Sequence, residues 1–221
     1  MTHAIHLGPK QIASVGLLAV ALCVGTVRAD VPDDPAKVVP VTVGSVAPAF
    51  QAREVDGRPY RFNPARLRKP VLMIFYRGGW CPYCNLHLKD LRTVEPEIVR
   101  LGYDVIFLST DRPSLLYSSL KEKVNYHIVS DASMEAARAF GVAYRLDAGT
   151  LKMMRTYGVD LEVTQGTTNH ELPVPSVFII DRNGIVRFRH FNADYKVRLD
   201  AASVLAAAKN VLHTSIESRQ Y

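Results

Sequence analysis

The segment that most restricts the fold runs from Val71 to Cys84. Val71-Leu72-Met73-Ile74-Phe75-Tyr76 is an unbroken apolar run of strand length, as expected of a strand covered on both faces. After Arg77-Gly78-Gly79 comes Trp80-Cys81-Pro82-Tyr83-Cys84, and a helical pattern opens at Pro82. Pro82 suits the first helical position, where its missing N–H would have had no partner. The Cys81 sulfur then faces open backbone N–H groups and the positive end of a helix dipole. Both favour the thiolate, so the thiol becomes a nucleophile near neutral pH. A C-x-x-C pair at a strand-to-helix turn points to thiol redox chemistry.

The chain has three cysteines, and the third, Cys23, lies in a segment with the pattern of an export signal. Residues 1–29 contain no acidic side chain, Lys10 leads into an apolar stretch from Ile12 to Val24, and Val27-Arg28-Ala29 offers a cleavage position. A retained membrane anchor is the alternative, although the apolar stretch is short for a span. Leu22 stands where a lipoprotein signal would place a small residue. Cleavage would leave Cys81 and Cys84 as the only thiols of a periplasmic or secreted protein without stable membrane association. Such compartments are oxidising, so a working dithiol there needs an external dithiol reductant.

The remainder is about the size of one domain. The formal charge is +6, and taking away Lys10 and Arg28 leaves +4. The clusters Arg58/Arg61/Arg66/Arg68/Lys69 and Arg182/Arg187/Arg189/His190 read as solvated basic faces. No RNA-binding signature or helix of regularly spaced arginines points to nucleic acid.

Residues 30–40, with Pro32, Pro35 and Pro40, read as a flexible lead-in to a domain over 41–221. Asp56-Gly57 marks a hairpin between Phe50–Val55 and Pro59–Phe62. Tyr83, Leu86, Leu91, Val94 and Ile98 predict a helix from Pro82 to about Gly102, kinked at Pro96. A second buried strand spans Asp104–Thr110, with a helix opening at Asp111-Arg112-Pro113 and a short strand over His127–Ser130. Asp131 to Met134 caps a helix that Gly141 closes. Residues 143–172 are irregular, with a helix near Thr150–Tyr157 and a polar loop over Thr164–His170; such an excursion is usually functional or mobile. Ser176–Ile180 and Ile185–Phe191 form a hairpin, and an amphipathic pattern from Val197 to Leu212 marks a terminal helix. This order predicts an α/β sandwich with a mixed sheet.

The order resembles the thioredoxin fold, and more narrowly the AhpC/TSA peroxiredoxin-like branch. Gly44-Ser45-Val46-Ala47-Pro48-Ala49-Phe50 is similar to that branch's opening, and Phe75 to Cys84 to the active-site segment of its C-x-x-C members. Leu108-Ser109-Thr110-Asp111, Val129-Ser130-Asp131 and Val174 to Asp181 resemble its later strand ends and its cis-proline segment. The resemblance implies a thioredoxin-like three-layer sandwich, a mixed central sheet flanked by helices. It departs at one place. Typical members carry Pro-x-x-x-Thr/Ser-x-x-Cys, whereas the positions before Cys81 are Ile74 and Gly78, and those before Cys84 are Arg77 and Cys81. Ser176 stands where an arginine often follows the later proline, and Cys-Pro-Tyr-Cys is the tetrapeptide of glutaredoxins.

Cys81 is the expected nucleophile, nearest the surface, and Cys84 the resolving thiol one turn inside; a permanent structural disulfide is the alternative, but so short a loop constrains little of the unfolded chain. Trp80 is expected to wall the substrate groove, or else to be a partly buried aromatic without further role. Arg77 would stabilise the thiolate or polarise a peroxide, or else be a surface arginine. The resemblance implies that Pro175 is the cis-proline facing the pair; the residues alone also allow an ordinary trans proline. His87 and His170 are possible proton shuttles, each more simply a hydrogen-bonded or solvent-facing histidine.

The expected function is thiol-dependent reduction of hydroperoxides by a Cys81/Cys84 dithiol–disulfide cycle, with no bound cofactor and no metal. A thioredoxin-like reductase of exported protein disulfides is the alternative. A copper-binding assembly module is a remote one, because a zinc or copper site would need further ligands or a wider cysteine spacing.

Overall fold

In this computed structural model, alternate side chains of the central strands feed two separate cores, and that alternation sets the architecture. The structure describes residues 1, 30–119 and 126–217. The export-signal segment and Cys23 lie outside the described residues. Val31–Tyr221 makes up one unit. Its elements run β1 (Phe50–Glu54), β2 (Pro59–Phe62), β3 (Val71–Tyr76), α1 (Pro82–Leu91), α2 (Glu95–Arg100), β4 (Asp104–Ser109), α3 (Pro113–Ser119), β5 (His127–Ser130), α4 (Glu135–Ala139), β6 (Ala143–Arg145), α5 (Ala148–Thr156), α6 (Leu161–Gln165), β7 (Glu171–Pro173), β8 (Ser176–Ile180), β9 (Val186–Phe191) and α7 (Ala201–Glu217).

Seven strands form one sheet in the order β2-β1-β5-β4-β3-β8-β9, and β6 and β7 pair separately. β3 runs parallel to β4 and antiparallel to β8, so the sheet is mixed. Val71, Met73 and Phe75 enter one core, together with Phe140 and α4; Leu72, Ile74 and Tyr76 enter the other, together with Leu91, Ile98 and Val204. Ile106/Leu108 and Val105/Phe107 of β4 divide in the same way, as do Phe178/Ile180 and Val177/Ile179 of β8. Period-two alternation on a sheet buried on both sides thus gives the three-layer sandwich expected from the sequence.

Three local readings need correction. The helix from Pro82 does not kink at Pro96 but stops and restarts. The Pro96 ring would clash with the Arg92 carbonyl in a continuous helix. Arg92–Val94 instead make a turn, Thr93 N–H donating to Asp90 O and Val94 N–H to Leu91 O, and Pro96 takes the first turn of α2. Residues 30–40 are pinned rather than loose. The Arg145 N–H donates to Pro32 O, the Arg189 guanidinium to the carbonyls of Pro40 and Val41, and Val38 is buried. The 143–172 excursion holds more regular structure than its sequence suggests: β6, β7 and α6 join α5 around a third core of Val38, Tyr144, Leu146, Met154, Leu161, Leu172 and Val174.

Candidate active site

The dithiol turn is held from the end of β4. Thr110 Oγ1 donates to the Arg77 carbonyl at 2.6 Å, and the Gly79 N–H donates to Asp111 Oδ2 at 2.6 Å. Asn85 Nδ2 closes the far side on Gly79 O at 2.8 Å. The backbone at Gly78 has φ 144°, where only glycine is comfortable. A Cβ added there would run into the Trp80 indole Nε1 and come within 2.8 Å of Asp111 Oδ1. The hydroxyl residue that typical members of the resembled family place three before the cysteine therefore has no room in this turn.

Cys81 is the N-cap of α1, with Pro82 at the first helical position. It is only 1% exposed, and it lines a cavity of about 680 Å³ that Cys84 does not line. Cys84 is fully buried, and neither cysteine forms a disulfide. The Cys81 thiol is lowered to about 6. The chief cause is a hydrogen bond from the Cys84 thiol; the Cys84 backbone N–H and the Arg77 and Arg198 guanidinium groups add to it, against the cost of burial. Cys84 moves the other way. Its proton is held by the bond to Cys81, and burial and the neighbouring thiolate both oppose its ionisation.

Arg77 is buried rather than a surface arginine. Its guanidinium stacks 4.2 Å from the Tyr195 ring centre and 5.1 Å from that of Trp80. Trp80 and Arg77 both line the cavity with Cys81. The excursion adds Tyr144, Leu146, Met153, Met154, Tyr157 and Val159 to the lining. Tyr83 and Tyr195 meet edge-to-face at 5.6 Å beside the opening.

Pro175 lacks the cis bond expected of it. No cis peptide bond occurs among the described residues, so the Val174–Pro175 bond is trans, and Pro175 is buried outside the cavity lining, one residue beyond the Phe75–Ser176 pair. His87 is buried with Nε2 2.9 Å from Leu199 O, and burial lowers its pKa. His170 pairs with Glu162 at 2.7 Å, away from the thiols' cavity lining. The sequence reading missed Arg198, whose Nη2 lies 3.5 Å from Cys84 Sγ, and the tyrosines 144, 157 and 195. From the sequence Asp111 reads as a strand end and a helix opening, not as the group that holds the dithiol turn. Among the described residues no three of His, Cys, Asp and Glu gather as a metal site, and no helix is long and apolar enough to cross a membrane.

A mixed sheet between two helical layers, with a C-x-x-C pair at the helix start beyond a central strand, defines a thioredoxin-fold dithiol protein. The AhpC/TSA family model matches residues 43–189, and the chain belongs to that family. Peroxiredoxin Bcp of Escherichia coli strain K12 is 31% identical over 104 residues, covering 47% of this chain and 66% of Bcp, just under two thirds. Thiol-disulfide oxidoreductase ResA of Geobacillus thermodenitrificans is 25% identical over 149 residues, covering 66% of this chain and 68% of ResA. Among solved structures, peroxidoxin BcpB of Mycobacterium tuberculosis shares the fold with a TM-score of 0.55 at 21% identity, over 77% of this chain and 98% of that one.

Proposed function

We propose that the protein is a redox enzyme that reduces hydroperoxides through a Cys81/Cys84 dithiol–disulfide cycle. The observation that carries this reading is a thiol lowered to about 6 in the lining of an open, largely apolar cavity. Roughly nine in ten such thiols are ionised at pH 7, against a few per cent for an ordinary cysteine. The Cys81 thiolate attacks the distal peroxide oxygen. The O–O bond breaks, the sulfur keeps the hydroxyl as sulfenic acid, and the alcohol or water leaves with a proton. Cys84 then attacks that sulfur, the S–S bond forms and water departs. An external, thioredoxin-like dithiol restores the pair, and the cycle requires no bound cofactor. Arg77 is placed to steady the thiolate, and Trp80 to wall the substrate. The similarity to Peroxiredoxin Bcp supports this chemistry.

The second reading is reduction of protein disulfides. It is favoured by the Cys-Pro-Tyr-Cys tetrapeptide, by the absence of a side chain at Gly78, and by the similarity to ResA. In both readings the signal-like residues 1–29 support export to the periplasm or beyond, without stable membrane association once they are removed.

The deciding experiment is stopped-flow oxidation of the reduced protein by hydrogen peroxide and by a bulky organic hydroperoxide, beside its reduction of a model protein disulfide. Peroxide should react faster than with a small thiol at matched thiolate concentration. Cys81→Ser should abolish every reaction, and Cys84→Ser should react once and stop at a sulfenic acid visible by mass spectrometry. A peroxide rate no greater than the small thiol's would hand the function to disulfide reduction.

A further inference from the structure

The connection between β9 and α7, residues 192–200, sends two side chains to the dithiol. Tyr195 stacks on Arg77, the group beside Cys81. Arg198 places Nη2 3.5 Å from Cys84 Sγ. The other nitrogens of Arg198, Nε and Nη1, are buried and have no hydrogen-bond partner. Among the described residues no carboxylate lies within ion-pair distance of this guanidinium. Arg198 is half-buried, and a cation with two nitrogens sealed from water and unpartnered is costly to hold; the group it touches is the sulfur least able to ionise in the reduced state.

We propose that Arg198 is a catalytic residue of the second half of the cycle, holding the Cys84 sulfur as the thiolate that closes the disulfide. The inference rests on the dithiol cycle above but not on peroxide being the substrate. In the reduced protein the Cys84 proton is held by the Cys81 thiolate, through their hydrogen bond and through repulsion between two anions. Once Cys81 carries a hydroxyl or a mixed disulfide, its negative charge is gone. Burial then remains to keep Cys84 protonated, and Arg198 opposes it at contact distance.

Arg198 is the cation that acts on Cys84, while the Arg77 guanidinium acts on Cys81; the other groups facing Cys84 bring no positive charge. They are Cys81 and the backbone N–H of Arg77, the buried phenol of Tyr76 on β3, and the phenol of Tyr144 on β6. His87 lies near Arg198 and His190 near His87, and burial favours the neutral form of both. The step balances simply. The Cys84 thiolate attacks the Cys81 sulfur, the S–S bond forms, and the S–O bond of the sulfenic acid breaks. The departing hydroxide carries away the proton Cys84 gave up, as water. With a mixed disulfide on Cys81, the bond that breaks is S–S and the leaving group is the substrate thiolate.

The test isolates this step from peroxide. Cys81 is loaded with 5-thio-2-nitrobenzoate in wild type, Arg198→Met, Arg198→Gln and Arg198→Lys, and the coloured thiolate is followed as Cys84 displaces it across pH. Arg198→Met and Arg198→Gln should release it about tenfold or more slowly near neutral pH, with the rise in rate moved to higher pH, while Arg198→Lys stays within about threefold of wild type. Alkylation of Cys81 in the reduced proteins should slow by less than the release does, because Arg198 is the smallest of the groups that support that thiolate, after Cys84 and Arg77. Arg198→Gln keeps most of the side chain's reach without its charge and decides the matter if Arg198→Met does not fold. Release at the wild-type rate with an unmoved pH profile overturns the proposal. So does equal slowing in all three variants with no pH shift, which would mark a packing role. Normal release with no peroxide reaction would overturn the peroxidase reading alone.

Discussion

The dithiol turn and the 143–172 excursion line one cavity, yet they are built by different means. The turn is local. Residues 77–85 fix the thiols through short hydrogen bonds, a proline and two glycines, with Thr110 and Asp111 as the only outside anchors among these bonds. The excursion is assembled from short pieces that none could hold alone. β6 and β7 span three residues each and pair only with one another. They are held by Leu172 and Val174 in the third core, and by Glu171, which is buried and paired with Arg138 at 2.8 Å and Arg145 at 3.3 Å. The turn therefore sets the chemistry of the sulfur, and the excursion sets what can reach it.

The sharpest attack on this division is on the turn's electrostatics. Alkylation of Cys81 should rise with pH through a midpoint near 6, because the reactive form is the thiolate and its pKa is lowered. At pH 7 Cys81 should outpace Cys84 by about a hundredfold or more, given a buried Cys84 whose proton is held. Cys84→Ala removes the chief hydrogen bond and should move the midpoint up toward a free thiol's value of roughly 8.5, whereas Cys84→Ser keeps a donor and should move it less. Mass mapping of each alkylated cysteine gives both numbers. An unmoved midpoint in Cys84→Ala would transfer the cause to Arg77 and the helix start.

The neighbouring glycines sharpen it next. Gly78→Thr would supply the family's missing hydroxyl, but its Cβ meets Trp80 and Asp111 on a backbone that disfavours side chains. It should cost about 1–3 kcal/mol in urea unfolding and slow Cys81 rather than speed it. Gly79→Ala meets only Asp111 Oδ2 at 3.5 Å, an ordinary contact, and should cost less than about 1 kcal/mol. A stable, faster Gly78→Thr would mean that the turn can relax to accept the hydroxyl.

What was legible in the sequence follows the same line. β3, the hairpin at Asp56-Gly57 and the Cys81 N-cap are written in adjacent residues, so spacing alone revealed them. Asp131 was read as a cap, and its carboxylate does accept from the Ala136 and Ala137 N–H groups. Arg198 and Tyr195 were invisible because they reach the thiols from more than a hundred residues away, through the fold and not through any motif. The burial of Arg77 was hidden for the same reason: its aromatic cover includes Tyr195. Pro175 shows the opposite failure, since its neighbours matched a family segment while its peptide bond did not follow.

The smallest expected effect tests the excursion. Tyr157 is 79% exposed and lines the cavity at the end of α5, so Tyr157→Ala should leave the fold intact. It removes apolar wall without touching either sulfur. The rate with hydrogen peroxide, which is too small to reach that wall from Cys81, should stay the same. A bulky organic hydroperoxide should lose a few-fold in kcat/KM, chiefly through KM, as befits about 1 kcal/mol of apolar contact. The pH midpoint for Cys81 should not move. If Tyr157→Ala lowered both rates equally or shifted that midpoint, the excursion would be acting on the thiol itself, and the separation between the element that sets chemistry and the element that sets access would not hold.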